Sequence, residues 1–230
     1  SQLNKAPCQP PGRPVHPVMV ALWQTIRRHD LPRELFDDLL SAFCQDQHTK
    51  RYDSWPQLLD YCRRSADPVG RLVLLLCGYR DEHRASLSDQ TCTALQLVNF
   101  WQDVRRDWIE RQRIYIPADV AACHGLDLSA VPQVVDAGAL PKRFAESYRA
   151  TLVDLCSRTG AMFERGRALW PLVRRDIRPV IQLFTLGGES VLGAVGRCDC
   201  QTWRIRPRTG RLQRLGLLLR VAAASVLGAA

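Results

Sequence analysis

A polar stripe on an otherwise apolar helix constrains this chain more than any other feature. The stretch 94–117 reads ALQLVNFWQDVRRDWIERQRIYIP. At 100° per residue, with Gln96 at zero, the residues Asn99, Asp103 and Asp107 fall at about 300°, 340° and 20°. The rest of the circumference is largely apolar, whereas an ordinary surface helix is apolar on one side only. We therefore expect the stripe to face an enclosed cavity.

Two carboxylates on one helix face, at Asp103 and Asp107, repel each other unless a cation lies between them. Oxygen ligands select hard cations, and Mg²⁺ commonly joins one or two carboxylates to substrate phosphates. Nearby arginines could hold the remaining charge of a diphosphate by bidentate contacts. The alternative is a solvated helix face in which each aspartate pairs with an arginine three or four residues further on.

The complete string is more specific, because Arg113, Tyr115 and Pro117 follow the helix in the order Arg-x-Tyr-x-Pro. It resembles the second aspartate-rich motif of the squalene/phytoene synthase family, a Gln-x-x-Asn-x-x-x-Asp-x-x-x-Asp helix followed by Arg-x-Tyr-x-Pro. The sequence Asn-Phe-Trp-Gln-Asp at 99–103 is most similar to that of the hydroxysqualene synthases of the hopanoid pathway. The resemblance covers roughly residues 18–210.

The resemblance implies three catalytic residues, Asp103, Asp107 and Tyr115. The two aspartates are expected to bind Mg²⁺, the implied cofactor. The hydroxyl of Tyr115 is expected to face the diphosphate or the water that quenches the reaction.

Four further residues are implied to bind the substrate diphosphate. Gln96 and Asn99 would hydrogen-bond the diphosphate, its waters or the carboxylates. Arg113 would hold phosphate oxygens, and Arg106 is a weaker candidate for the same role.

The implied reaction converts presqualene diphosphate to hydroxysqualene, or to squalene, with release of diphosphate. Mg²⁺ assists ionisation, and water captures the resulting carbocation. One alternative in the same family is a phytoene or presqualene diphosphate synthase, which is a head-to-head prenyl transferase. Another is an inactive, truncated homologue that only binds prenyl diphosphate or a partner protein.

The fold class expected from the sequence is all-α, because apolar residues recur every three or four positions and strand-like alternation is absent. The resemblance implies an isoprenoid-synthase helical bundle around a central cavity. In that family a first aspartate-rich motif precedes the segment that matches Val18 onward. Here a proline-rich stretch without aspartate, residues 1–17, has that place. We expect a disordered arm over 1–17 and a helical domain over 18–230 that lacks the bundle's N-terminal helices.

Several local signals set helix boundaries. Ser54 is a good N-cap, and Pro56 suits the first turn that follows. Pro68 and Gly70 predict a kink in the helix, and Gly70 indicates either close helix packing or room for a prenyl chain. Residues 81–84 are expected to form an exposed loop, with Ser88 capping the central helix.

Net charge and cysteine content limit the classes of partner and the cellular location that we expect. The net charge of +9 favours phosphorylated substrates, acidic lipid surfaces or nucleic acid. Nucleic acid is not an expected partner, because no zinc-finger, RNP-type or basic-zipper pattern is present. Nine cysteines without a signal-peptide pattern indicate reduced thiols in a bacterial cytoplasm.

The C-terminal segment after Thr202 carries six arginines and ends in an apolar run. Residues 215–230 are too short and too charged to be expected as a transmembrane helix. They are expected either to pack on the bundle as its last helix or to contact the inner-membrane surface as a basic, amphipathic helix.

Overall fold

The computed structural model describes residues 16–137 and 142–227. The chain divides into two compact units, Ser1–Arg33 and Glu34–Ala230. The predicted disordered arm falls almost wholly outside the described residues. In the first unit, a helix begins at Pro17, one residue before the predicted start, and ends at His29, where Asp30 takes a left-handed φ of 47°.

The predicted all-α class is confirmed, and no strand occurs in residues 16–137 or 142–227. The described residues also contain a 3₁₀ segment, Arg167–Leu172, which directly follows the helix Lys142–Gly166. The α-helices in chain order are α1 (Pro17–His29), α2 (Arg33–Gln45), α3 (Trp55–Ser65), α4 (Asp67–Leu76), α5 (Glu82–Gln102), α6 (Val104–Arg111), α7 (Ala118–Cys123), α8 (Ala130–Ala137), α9 (Lys142–Gly166), α10 (Arg178–Arg197) and α11 (Arg211–Leu227).

Helix α5 is the centre of the second unit and packs against α3, α4, α9 and α10. Leu97 and Trp101 of α5 are fully buried, as are Leu152 and Phe163 of α9. Each such side chain contributes roughly 1.5–3 kcal/mol through burial. The indole Nε1 of Trp101 donates to Thr159 Oγ1 at 2.9 Å, which satisfies the polar group of a buried ring.

The predicted start of α3 is found, whereas the interruption expected at Pro68 and Gly70 lies earlier, at Ala66. The hydroxyl of Ser54 accepts a hydrogen bond from the amide of Gln57 at 3.3 Å. Only Ala66 separates α3 from α4, so the chain bends and continues. A Cβ on Gly70 would lie 2.4 Å from both Ser88 Oγ and Cys92 Sγ. Of the two explanations for this glycine, the structure therefore supports close packing of α4 on α5.

The loop predicted over residues 81–84 is wrong. Helix α5 begins at Glu82, and the carboxylate of Asp81 accepts from the amide of Arg84 at 3.0 Å. Asp81 is therefore the N-cap, and Glu82 is an acidic residue in the first turn, where the helix dipole favours it. Ser88 does not cap the helix but is buried inside it.

Helix α11 contacts α10, and its Val221 is buried. The C-terminal segment therefore packs on the bundle as its last helix, which is one of the two expected arrangements, through the face that carries Val221. Four leucines of α11 are nevertheless exposed: Leu212, Leu215, Leu218 and Leu219. Among the residues that the structure describes, no helix is both long and apolar enough to cross a membrane.

Candidate functional site

A cavity of about 500 Å³ lies where α5 meets α6. It brings together six of the seven residues that the sequence singled out: Gln96, Asn99, Asp103, Arg106, Asp107 and Tyr115. The remaining wall consists of Phe43, Asp46, Tyr61, Ser65, Phe100, Arg111 and Arg206. The polar stripe therefore faces a concave space, as its apolar surroundings predicted.

The stripe crosses a break in the helix at Asp103, where the sequence predicted one continuous helix. Asp103 has φ −104° and ψ 16°, and the amide of Arg105 donates to the carbonyl of Thr202 at 3.3 Å. The helical register survives, because the Asp103 amide donates to Asn99 and the Asp107 amide donates to the carbonyl of Asp103 at 2.7 Å. Both carboxylates therefore stay on the cavity side.

The two aspartate side chains are only 12% (Asp103) and 10% (Asp107) exposed. Burial, together with the charge of Asp103, raises the pKa of Asp107 to about 6. Arginine partners exist on α6, but Arg106 lies 3.6 Å from Asp103 and Arg111 lies 3.7 Å from Asp107. The pairing that the solvated-face alternative predicts is therefore present, but the two carboxylates themselves are largely enclosed and not solvated.

Arg206 is a residue of this cavity that the sequence did not identify. Its Nη2 lies 3.0 Å from Asp103 Oδ2, and its Nε donates to the other oxygen of the same carboxylate. The sequence placed Arg206 with the basic C-terminal segment. No local pattern indicates its position, because the contact joins residues 103 positions apart.

Tyr115 lies against the cavity with its ring stacked on Phe100, at a centroid distance of 3.8 Å and an angle of 7°. Burial raises the pKa of Tyr115 above its ordinary value. Arg113 is 8% exposed and does not line the cavity. Its Nη1 donates to the Tyr115 hydroxyl at 3.1 Å, so the expected direct contact of Arg113 with phosphate is not the arrangement found.

Two more cavity residues, Asp46 and Tyr61, were not predicted as site residues. The Tyr61 hydroxyl donates to Asp46 Oδ1 at 2.9 Å. Tyr61 lies on α3, and Asp46 lies in the turn that follows α2. Neither residue belongs to the stretch 94–117 that the sequence singled out.

The donor set of the cavity fits Mg²⁺ bound together with a phosphorylated ligand. Within residues 16–137 and 142–227, no three His, Cys, Asp or Glu side chains are close enough to hold a metal ion by themselves. Mg²⁺ commonly uses one or two carboxylates and completes its shell with waters and substrate phosphates. Asp103 and Asp107 would supply the two carboxylates, with the amides of Gln96 and Asn99 beside them.

Comparisons with known proteins identify the family of this chain. The squalene/phytoene synthase family model matches residues 1–213. A hydroxysqualene synthase of Zymomonas mobilis is 42% identical over 116 residues, which are 47% of this chain and 37% of that protein. A phytoene synthase of Thermus thermophilus is 28% identical over 202 residues, which are 84% of this chain and 66% of that protein.

The same architecture occurs in a crystal structure of a squalene synthase from Alicyclobacillus acidocaldarius. The two proteins are 39% identical with a TM-score of 0.73, over 83% of this chain and 68% of that one. This chain spans between 37% and 49% of the length of the curated hydroxysqualene synthases that it matches. From the family match, the shared fold and the motif at 96–117, we conclude that this chain belongs to the squalene/phytoene synthase family.

Proposed function

We propose that this chain acts on a prenyl diphosphate and converts presqualene diphosphate to hydroxysqualene. The carbon–oxygen bond to the diphosphate breaks, and the leaving group takes the electron pair. The carbocation rearranges, water adds through its oxygen, and one proton is lost. The products are hydroxysqualene, diphosphate and a proton.

The enclosed pair of carboxylates, Asp103 and Asp107, is the observation that carries this proposal. Holding two acidic groups in a cavity is costly, as the raised pKa of Asp107 indicates, and a bound cation removes that cost. Mg²⁺ would offset the charge of the diphosphate as it leaves. Asp103 and Asp107 would hold the ion, while Asn99 and Gln96 would hydrogen-bond the phosphate oxygens or their waters.

Basic and aromatic groups complete the site. Arg206 and Arg106 line the cavity beside the carboxylates and can contact phosphate oxygens by charge-assisted hydrogen bonds. The stacked rings of Phe100 and Tyr115 supply aromatic faces beside the carboxylates, and such faces would limit access of bulk water to a carbocation. The likeness at 99–103 to hydroxysqualene synthases favours water as the final nucleophile.

Two alternatives have observations in their favour. A phytoene or presqualene diphosphate synthase is supported by the long match to the Thermus phytoene synthase. A homologue that binds prenyl diphosphate without turnover is supported by the carboxylate count, since the described residues offer no third metal-binding side chain beside Asp103 and Asp107.

The test incubates the purified chain with presqualene diphosphate and Mg²⁺ and analyses the lipid extract by mass spectrometry. The matched control is the double variant Asp103→Ala/Asp107→Ala. Hydroxysqualene formed by the unmutated chain alone would support the proposal. Phytoene or presqualene diphosphate, formed from the corresponding C20 or C15 diphosphate, would support the transferase. Mg²⁺-dependent substrate binding without product would support the binding protein.

We also propose that the protein works in the bacterial cytoplasm at the surface of the inner membrane. The exposed leucines of α11 lie in a segment, 200–230, that contains six arginines and no acidic residue. Such a surface suits anionic lipid headgroups with an apolar layer beneath them. A peripheral position would also suit an enzyme with a long apolar substrate.

A further inference from the structure

The carboxylate of Asp46 contacts two side chains beside the cavity, those of Tyr61 and Arg113. Asp46 lies in the turn that follows α2, and its side chain is 25% exposed. Its Oδ1 accepts from the Tyr61 hydroxyl at 2.9 Å and lies 3.1 Å from Arg113 Nη1. The carbonyl oxygen of Asp46 also accepts from Arg113 Nη2. Both the side chain and the main chain of Asp46 therefore hold one guanidinium group.

The guanidinium of Arg113 in turn determines the direction of the hydrogen bond at Tyr115. Arginine has only donors, so the Tyr115 oxygen must accept the bond from Arg113 Nη1 at 3.1 Å. The hydrogen of the Tyr115 hydroxyl then stays available for another acceptor. Because the ring is stacked on Phe100, that hydroxyl can turn only about its own C–O bond.

Tyr61 has the opposite hydrogen-bonding role. Its hydroxyl hydrogen is used in the bond to Asp46, so its oxygen is left as an acceptor. Tyr61 and Tyr115 line the same cavity, and their ring centroids are 6.3 Å apart. One wall of the cavity therefore presents a hydrogen-bond donor and an acceptor side by side, and both assignments depend on Asp46.

We propose that Asp46 is a positioning residue that, through Arg113 and Tyr61, keeps Tyr115 as a hydrogen-bond donor and Tyr61 as an acceptor toward the ligand. A donor at Tyr115 suits a diphosphate oxygen, and an acceptor at Tyr61 suits a group that carries positive charge or a hydrogen. This inference rests on the proposed function for the identity of the ligand. The direction of the hydrogen bonds rests on the contacts of Asp46 alone.

The substitution that tests this is Asp46→Asn, which keeps the shape and an acceptor for Tyr61 but removes the charge that holds Arg113. With presqualene diphosphate and Mg²⁺, we expect kcat to fall about tenfold or more, as for the loss of a charged hydrogen bond, with a smaller change in KM. Asp38→Asn is the matched control, because Asp38 lies on α2, its carboxylate lies 3.5 Å from the exposed Arg63, and it does not line the cavity. The control is expected to leave kcat unchanged.

A double-mutant cycle with Tyr115→Phe separates positioning from a general loss of stability. If Asp46 acts through Tyr115, the substitution Asp46→Asn costs much less in the Tyr115→Phe background than in the unmutated protein. Effects that multiply, or an unchanged kcat in Asp46→Asn, would overturn the proposal.

A second measurement does not depend on turnover. With ¹³Cζ-labelled tyrosine, the resonances of Tyr61 and Tyr115 are assigned from their phenylalanine variants. Asp46→Asn should shift both resonances, and Asp38→Asn should shift neither. If the unmutated chain forms no product, the proposed function fails, yet these shifts still decide whether Asp46 orients the two hydroxyls. Resonances unmoved by Asp46→Asn would reject the inference.

Discussion

Arg206 holds both carboxylate oxygens of Asp103, with its Nη2 at 3.0 Å from Oδ2. The contact brings the segment before α11 onto the junction between α5 and α6. It also puts a guanidinium group at the position where a diphosphate and its cation would neutralise Asp103. The side chain of Arg206 is 39% exposed, so it has room to turn from the carboxylate to an incoming phosphate.

Arg206→Gln should therefore weaken productive binding of a prenyl diphosphate. We expect kcat/KM to fall about tenfold, mainly through a higher KM, because one charge-assisted contact to phosphate is lost. Arg208→Gln is the control, since Arg208 is an exposed arginine two positions away that does not line the cavity. Steady-state kinetics with presqualene diphosphate measures both. Equal losses in the two variants would instead indicate a general effect of net charge.

The charged carboxylate of Asp107 should lower the free energy of unfolding at neutral pH. Its pKa is about 6 in the folded protein and about 3.9 in an unfolded chain, so the folded state binds a proton more readily. Above pH 6 the folded state carries the cost of an enclosed charge, up to about 3 kcal/mol, and this cost disappears as the pH falls from 6 to 4.

Asp107→Asn is therefore expected to unfold at a higher temperature than the unmutated protein at pH 8, with the difference closing toward pH 4. Its turnover should drop roughly a hundredfold or more, because a proposed cation ligand is lost. Thermal unfolding measured across this pH range checks the first point. Asp103→Asn is the contrasting variant: it leaves Arg206 without its charged partner and should gain no stability. A pH-independent difference for Asp107→Asn would contradict the assigned pKa.

The site was predictable from the sequence where its residues are close along the chain and keep helical spacing across the break at Asp103. Gln96, Asn99, Asp103 and Asp107 reach the same cavity because helical periodicity alone puts them on one face. Arg206 reaches the cavity by tertiary packing of a distant segment, for which local sequence carries no signal.

The starts of α3 and α5 both depend on local capping signals, and only the first of them was interpreted correctly. Ser54 was recognisable as an N-cap from its own side chain and the proline after it. The start of α5 was placed too late, because the charged residues 81–84 suggested a loop. Asp81 is itself a preferred capping residue, and giving that preference more weight than the local charge would have found the boundary.

The adjacent glycines of α10 should respond in opposite ways to the same substitution. A Cβ on Gly188 would lie 2.4 Å from Phe163 Cζ and 2.7 Å from Leu95 Cδ2, whereas a Cβ on Gly187 would meet nothing within 4 Å. We expect Gly188→Ala to destabilise the fold by about 1–3 kcal/mol through overpacking. Gly187→Ala should stabilise it by up to about 1 kcal/mol, because alanine favours the helix.

Urea unfolding of the two glycine variants measures both changes at once. The pair is matched in chemistry, helix and sequence position, so general effects of alanine cancel. Comparable stability in the two variants would mean that Gly188 does not lie against α5 and α9 as closely as the structure shows.

The exposed leucines of α11 should bind the protein to anionic membranes. At 100° per residue, Leu212, Leu215 and Leu219 fall within about 60° of one another, so they form one apolar strip. Their exposed fractions are 84%, 52% and 61%. Arg220, also exposed, lies about 80° around the helix from Leu212 and can meet lipid phosphates while the leucines enter the apolar layer.

Flotation with vesicles measures this binding. The protein should float with vesicles containing phosphatidylglycerol, bind phosphatidylcholine vesicles less, and detach as salt is raised, because arginine–headgroup attraction is screened. Leu215→Gln/Leu219→Gln should reduce flotation about tenfold, since two leucine insertions are lost. Val69→Gln/Val73→Gln is the matched control, with two exposed apolar residues on α4. Equal losses in both double variants, or undiminished flotation of the α11 variant, would exclude α11 as the membrane contact.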